Sequence, residues 1–203
     1  MTITSKPDVI DELTGIRAVD ASDAERGHRA QARRHAQRSY LALFEPAEAD
    51  SEDDTPFTVA ERFAVAAFVA RLHGQAGIAE FYRSEGAQRG ASTQRLEAVI
   101  AEAAALADGD ARSPGAAGPG GGAKQPRRTL FGAHLAAALA HAHLIVLHPR
   151  NAKAEHLQAL LDADWSADDI VTLSQLVAFV AFQIRVVVGL RNLAARPASR
   201  VAA

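Results

Sequence analysis

The sequence predicts an all-α protein, a helical bundle built from two helical halves, and three observations support this prediction. Alanine, the best helix former, occupies 46 of the 203 positions. Tyrosine and tryptophan, which favour strands, together supply three. No segment alternates apolar and polar residues with the period of two that a half-buried strand requires. A chain of this length fits one compact domain, or two small halves that share a core.

Charge and cysteine content exclude several classes of function. The formal net charge is −2, so no strong field holds nucleic acid or an anionic membrane. The chain contains no cysteine, which excludes thiolate metal sites, cysteine nucleophiles and thiol redox chemistry in its residues. The most apolar stretch is Leu176 to Leu190, and its longest uninterrupted part, Leu176 to Phe182, is shorter than the about 20 residues that a bilayer requires. We therefore expect no membrane contact and a cytoplasmic location.

Residues 1–54 are interpreted as an N-terminal arm with a basic helix. The first 22 residues are mixed and polar, and a helical pattern then runs from Asp23 to Phe44 and stops before Pro46. The basic side chains of this helix are Arg26, His28, Arg29, Arg33, Arg34, His35 and Arg38. A solvated helix face is the favoured interpretation, because the overall charge is balanced, and a contact surface for a partner is the alternative.

Residues 55–195 form the main helical domain, and its first half begins with a clear helix signal. Thr58-Val-Ala-Glu61 matches a capping box, with Thr58 as N-cap and the Glu61 side chain reaching back to its amide. The helix from Val59 to Leu72 is apolar nearly all round, so we expect it at the centre of the bundle. His73-Gly74 ends it, and further helices are predicted at 75–84 and 93–107.

A segment rich in glycine and proline separates the two halves. Residues 109–128 contain six Gly and three Pro, which predicts a flexible loop that trypsin cuts first. In the second half, helices are predicted from Thr129 as N-cap to Leu147, at 153–163, and after the N-cap Ser166 as far as 195. Residues 196–203 are a tail.

Two separated blocks resemble the alkylhydroperoxidase-D-like / carboxymuconolactone decarboxylase (CMD) superfamily. In the first block, Glu61 to Tyr82, a buried helix ends at His73-Gly74 and a short helix follows. The second block, with Trp165-Ser-Ala-Asp-Asp-Ile170 and Val177-Ala-Phe-Val-Ala-Phe-Gln-Ile-Arg185, is similar to the peroxidase-related branch. The resemblance covers roughly residues 55–195. It implies a helical bundle of this type that assembles as a homo-oligomer and takes a small molecule.

The family's redox positions hold residues that cannot perform its redox chemistry. The resemblance aligns the two family cysteines with Gln75 and Ile78, the relay glutamate with Phe63, and the family histidine with Tyr82. Neither an amide nor an alkyl chain can attack a peroxide. We therefore expect no thiol-dependent turnover of hydroperoxides, as in a cysteine-free CMD domain subgroup.

The remaining possibilities are ligand binding and non-redox acid–base catalysis, and the tentative catalytic candidates are His73, Tyr82, Glu61 and Arg185. Three also have a structural interpretation: His73 stabilises a helix dipole, Glu61 completes a capping box, and Tyr82 is an aromatic at the bundle edge. The alternative is an active enzyme of decarboxylase or hydroperoxidase type with these side chains in a pocket at a subunit interface. A weaker alternative is a structural partner of an intact paralogue.

The sequence predicts no metal site and no cofactor. His134, His141 and His148 recur every seven residues, so successive imidazoles lie about 10 Å apart on a helix, too far to bind one ion. The apolar helices at 59–72 and 176–190 need more covering surface than the other helices supply, which predicts a homo-oligomer, from dimer to hexamer. Arg185 is expected to be the polar anchor of that interface.

Overall fold

The structure is a computed structural model that describes residues 8–15, 30–46, 56–112 and 128–195. All regular structure in these ranges is helical, so the all-α prediction is confirmed. A short 3₁₀ turn, Pro149–Asn151, follows the seventh α-helix. The α-helices of the described ranges are α1 (Val9–Thr14), α2 (Ala30–Phe44), α3 (Val59–Leu72), α4 (Ala76–Gln88), α5 (Thr93–Arg112), α6 (Arg128–Phe131), α7 (Ala133–Leu147), α8 (Ala154–Leu161) and α9 (Ala167–Ala194).

Helix α3 is the centre of the bundle, as its composition predicts. It packs against α2, α4, α5, α7 and α9, and every residue from Phe63 to Ala70 is buried. Removing this apolar surface from water on all sides is the main stabilising contribution of the helix. Because α4 and α5 pack on it from the first half and α7 and α9 from the second, the two halves share one core.

The predicted helix boundaries in the two blocks are largely confirmed. The Thr58 hydroxyl accepts a hydrogen bond from the Glu61 amide at 3.2 Å, and the Ser166 hydroxyl accepts one from the Asp169 amide at 3.1 Å. Each satisfies an amide that the first turn of a helix leaves unpaired. At the other end of α3, Gly74 has φ +72°, a conformation that favours glycine and ends the helix.

Three predicted boundaries are wrong. Gly132, with φ +81°, separates α6 from α7, so Thr129 lies inside α6 and does not cap a helix that runs to Leu147. Helix α4 continues to Gln88, beyond the predicted residue 84. Helix α5 continues to Arg112, so residues 109–112 are helical and do not belong to a flexible loop. Residues 113–127 of that predicted loop lie outside the described residues.

The N-terminal segment contains a helix that the sequence reasoning missed. The Asp8 carboxylate accepts hydrogen bonds from two amides of the first turn of α1, and Gly15 ends the helix with φ +68°. Arg191 of α9 donates to the Leu13 carbonyl at 2.5 Å. The residues of α1 that enter the common core are Val9, Ile10 and Leu13. The described parts of residues 1–54 thus share the core of the rest of the chain.

The described part of the basic helix is paired on one side and exposed on another. Arg33 contacts the carboxylates of Asp8 and Asp11 at the start of α1. Tyr40 and Phe44, seven and eleven residues further along the same side of α2, are buried in the core. The exposed basic side chains are Arg34, His35 and Arg38. The remaining three, Arg26, His28 and Arg29, lie outside the described residues.

Helix α9 is unusually long and apolar. Within the described ranges it is the one helix long and apolar enough to cross a membrane, judged by length and composition. However, 39% of its most apolar window is buried inside the protein, and core helices of soluble proteins pass the same test. The finding is therefore weak evidence for a membrane.

Candidate functional site

The four predicted site residues do not form one cluster. Glu61 and His73 occupy opposite ends of α3, twelve residues apart, which is about 18 Å along a helix. They therefore cannot act on the same atoms of one small molecule. Tyr82 lies on α4 and Arg185 on α9.

Tyr82 is sealed in the core and does not lie at the bundle edge. Its hydroxyl donates to Oε1 of Gln183 at 2.5 Å, and its ring lies 5.3 Å from that of Phe44 and 5.3 Å from that of Phe81. Burial raises the pKa of Tyr82 well above its usual value, because the phenolate would lose its hydration. The hydroxyl stays protonated and joins α4 to α9.

His73 and Arg185 are brought close to one another at the C-terminal end of α3. Burial lowers the pKa of His73, and the positive charge of Arg185 lowers it further. His73 is half-buried, and in the described ranges its Nε2 atom has no hydrogen-bond partner. Arg185 is exposed on α9. The imidazole is therefore neutral near pH 7, with one polar atom unsatisfied.

The positions that the resemblance aligns with the redox residues are structural. Phe63 and Ile78 are completely buried, and the guanidinium of Arg89 lies 4.9 Å from the centre of the Phe63 ring. Gln75 precedes α4 and makes no side-chain capping bond there. These side chains fill the core or lie at a helix start.

Glu61 has a partner that the sequence reasoning missed. Its Oε1 atom lies 3.5 Å from Nδ1 of His134, the second residue of α7. The capping box is therefore only half formed, because the Glu61 amide donates to Thr58 while the carboxylate turns towards His134. The two residues are 73 positions apart, and only the packing of α7 on α3 brings them together.

The imidazole of His134 packs on the side chain of Trp165. Its ring stacks on the indole of Trp165, with 4.3 Å between the ring centres and 8° between the planes. The Trp165 Nε1 atom donates to the His134 carbonyl at 3.1 Å. On its other side, the indole packs against the ring of Phe57 at 4.8 Å. The orientation of the imidazole towards Glu61 is thus fixed by the packing around it.

Two polar atoms of this pair are buried without hydrogen bonds. Within the described part of the chain, neither Oε2 of Glu61 nor Nε2 of His134 has a partner. A buried unsatisfied polar atom costs about 1–3 kcal/mol, and native proteins retain few of them. Departures from these packing rules are expected at functional sites. The Glu61–His134 pair is therefore the candidate site.

A pocket of about 300 Å³ adjoins Glu61 between α3, α5 and α7. The Glu61 carboxylate therefore shares this pocket with apolar side chains and with one exposed cation, Arg95. The volume is at the lower end for ligand pockets, roughly 300–1,000 Å³. The side chains that define its floor and rim are Thr58, Glu61, Ala64, Arg95, Leu96 and Leu135.

Two of the larger concave regions in the described ranges lie between other pairs of helices. A cavity of about 390 Å³ between α7 and α8 contains His141 and His156, and a groove of about 870 Å³ between α2 and α9 contains Arg62. Burial lowers the pKa of His141, and the neighbouring His156 lowers it further. Neither region contains the carboxylate–imidazole contact found at Glu61.

The three histidines that are spaced seven residues apart lie in different surroundings. His134 contacts Glu61, His141 lines the cavity beside α8, and His148 lies 5.5 Å from the ring of His143. Among the described residues, no three or more His, Asp or Glu side chains are grouped so that they could hold a metal ion.

Comparison of the chain with protein-family models, with curated proteins and with solved structures gives no match. Its function is therefore inferred from its own residues.

Proposed function

We propose that this chain is a small-molecule acid–base protein that works without thiol redox chemistry, and that Glu61, positioned by His134, is its proton-transfer group. The observation that supports the proposal is the contact of 3.5 Å between Glu61 Oε1 and His134 Nδ1 beside a pocket. Hydrogen bonds at catalytic sites are often long before a ligand binds, and they tighten in the complex.

The two groups have distinct roles in this proposal. Glu61 lines the pocket and is the group that takes a proton from a bound molecule or returns it. His134 is a positioning residue, because its stacked ring lies behind the carboxylate and stabilises its charge. General acid–base catalysis by a positioned side chain accelerates a reaction by about 10²–10⁴-fold.

The pocket favours a small organic anion. Arg95, an exposed cation at the rim, attracts a carboxylate, while apolar Ala64, Leu96 and Leu135 contact the carbon frame. The resemblance to carboxymuconolactone decarboxylases implies the same class, because a carboxymuconolactone is a small carboxylated lactone. This resemblance belongs to the proposal as well, since it rests on sequence blocks alone.

Proton exchange in D₂O tests the proposal. Small keto acids and carboxylated lactones are incubated with the protein, and exchange of their acidic C–H protons or loss of CO₂ is followed by ¹H NMR. We expect catalysed exchange for at least one compound and a loss of at least about tenfold in Glu61→Gln. His134→Asn should lower the rate less and alter its pH profile.

Glu97→Gln is the matched control, because Glu97 is exposed on α5 and does not line this pocket. It should exchange protons at the wild-type rate. Equal rates in Glu61→Gln and wild type, with both proteins folded by circular dichroism, would refute the assignment.

A further inference from the structure

Helix α9 presents a continuous exposed stripe along its length. The exposed positions are separated alternately by four and three residues, the heptad spacing of a helix that packs against another helix. The members of this stripe, called here the α9 seam, are Val171, Gln175, Ala178, Phe182, Arg185, Gly189 and Asn192, with Leu193 beside the last.

The α9 seam combines large apolar side chains with small residues. Val171, Phe182 and Leu193 are 54%, 45% and 43% exposed. Between them lie Ala178 and Gly189, and a Cβ added at Gly189 would meet nothing within 4 Å. Exposed large apolar groups alternate with open space, as on a surface that receives knobs from a facing helix.

The neighbouring helix α2 extends the same surface. The groove of about 870 Å³ between α2 and α9 is bounded on the α2 side by small residues, among them Ala32, Ser39 and Ala42. On the α9 side it is bounded by Gln175 and Phe182 of the seam. Small residues permit the close approach of a further helix, so the seam and the groove form one docking surface.

We infer that the α9 seam binds the α9 seam of a second copy of this chain, antiparallel, with the two-fold axis at Phe182. The arrangement is self-complementary, because Val171 and Leu193 lie eleven residues on either side of Phe182, and Gln175 and Gly189 lie seven. Val171 then meets the partner's Leu193, and Gln175 enters the space at the partner's Gly189. A two-fold interface requires this reciprocity.

Charge along α9 favours the antiparallel over the parallel orientation. The exposed charges of the helix are Asp168 in the first turn and Arg185 and Arg191 in the second half, and Arg191 also donates to the Leu13 carbonyl of its own chain. An antiparallel pair brings the acidic beginning of each helix to the half of the partner that carries the arginines, and it opposes the two helix dipoles. A parallel pair would set like charges side by side.

The same charges favour a protein partner over a lipid surface. Arg185 lies in the middle of the exposed stripe, and Gln175 and Asn192 flank it on the same face. A charge at that depth is costly in hydrocarbon, whereas across a helix pair the Arg185 head can reach solvent at the rim while its stem covers apolar surface.

The absence of cysteine from the chain permits a clean cross-linking test. A disulfide needs Cβ atoms about 4 Å apart, so Phe182→Cys at the axis should oxidise to a covalent dimer by itself. Val171→Cys and Leu193→Cys should cross-link when mixed with one another, and much less when oxidised alone. Leu157→Cys is the matched control, because Leu157 is 45% exposed on α8, outside the seam, and should form no covalent dimer.

Light scattering of charge variants gives the second readout. Wild type should have twice the mass of one chain at micromolar concentration, as should Leu157→Glu, whereas Phe182→Glu should have the mass of one chain with unchanged helix content by circular dichroism. Three results would overturn the inference: a wild-type monomer, self-cross-linking of Val171→Cys, or binding of wild type to phospholipid vesicles that Phe182→Glu abolishes.

Discussion

Helices α3 and α9 have similar apolar composition and different surroundings. The side chains of α3 are covered on all sides by helices of the same chain, and the residues from Val65 to Ala70 have no exposed surface. Helix α9 buries one side against α1, α2 and α3 and leaves the seam that contains Val171 and Phe182 open. Apolar composition thus describes how much surface a helix must bury, and the neighbours decide whether one chain can bury it.

The oligomer prediction assumes that both apolar helices need covering surface from a second chain, and for α3 this is wrong. Helix α3 needs no second chain, because α2, α4, α5, α7 and α9 already cover it. The proposed self-association therefore depends on α9, where the exposed apolar residues lie on a single side. Arg185, the expected polar anchor, lies on that side.

The two sides of α9 differ most under a charge substitution. Val187 has no exposed surface within the chain, so Val187→Asp buries a carboxylate without a partner and should destabilise the fold by more than about 4 kcal/mol. Val171→Asp, on the exposed side of the same helix, should leave the helix content unchanged. Circular dichroism and urea unfolding measure both. A folded Val187→Asp protein would show that this side is not a core.

Truncation of an aromatic side chain sharpens the contrast between the helices. Phe68 on α3 is completely buried, and Phe68→Ala should lower the free energy of unfolding by about 3–5 kcal/mol at every protein concentration. Phe182→Ala should lower it only at concentrations where the chain is dimeric. Urea titrations at high and low protein concentration distinguish the two, and a concentration-dependent effect of Phe68→Ala would contradict the comparison.

Glycine substitutions on α4, which packs closely on α3, should change the free energy of unfolding by smaller amounts. A Cβ at Gly86 would lie 2.9 Å from the Phe63 Cβ, and both backbones are held in the core, so Gly86→Ala should destabilise by about 1–3 kcal/mol. At Gly77 on the same helix an added Cβ meets nothing within 4 Å. Gly77→Ala should therefore stabilise, by up to about 1 kcal/mol. Equal thermal midpoints for the two variants would count against this packing.

The stability of the protein in mild acid tests the lowered pKa values of two histidines. The pKa values of His141 and His73 are lowered in the folded protein, chiefly by burial. As the pH falls below the unfolded value of about 6.5, the unfolded chain gains protons that the folded chain does not, so stability decreases. The urea midpoint should therefore be lower at pH 5.5 than at pH 7.5. His141→Gln should reduce this difference, and an equal difference in His141→Gln and wild type would contradict this assignment.

Local signals in the sequence predict much of the fold. Thr58 and Ser166 cap helices as predicted, because an N-cap bond joins residues three positions apart. Asp8 as N-cap and Gly15 as C-cap are an equally local signal for α1. They lie in a mixed, polar segment, where little periodicity indicates a helix. Gly132 interrupts a helix whose apolar pattern continues across it, so periodicity alone did not detect the break.

The candidate site was less predictable, because its contacts join distant parts of the chain. Glu61 was identified as a candidate, and its partner His134 comes from another helix with no motif that links them. Tyr82 is expected at an edge, and only the packing of α9 reveals that its hydroxyl donates a hydrogen bond to Gln183. The register between packed helices decides such pairs, and one sequence does not specify it.

Trp165 is the only tryptophan in the sequence, and it stacks on His134 at the candidate site. Its fluorescence therefore originates at a single, known position, next to the imidazole that faces Glu61. A small molecule or a proton that changes the charge of this pair changes the electric field on the indole. The chain thus carries its own optical sensor for occupancy of the site, which needs neither a label nor a known reaction.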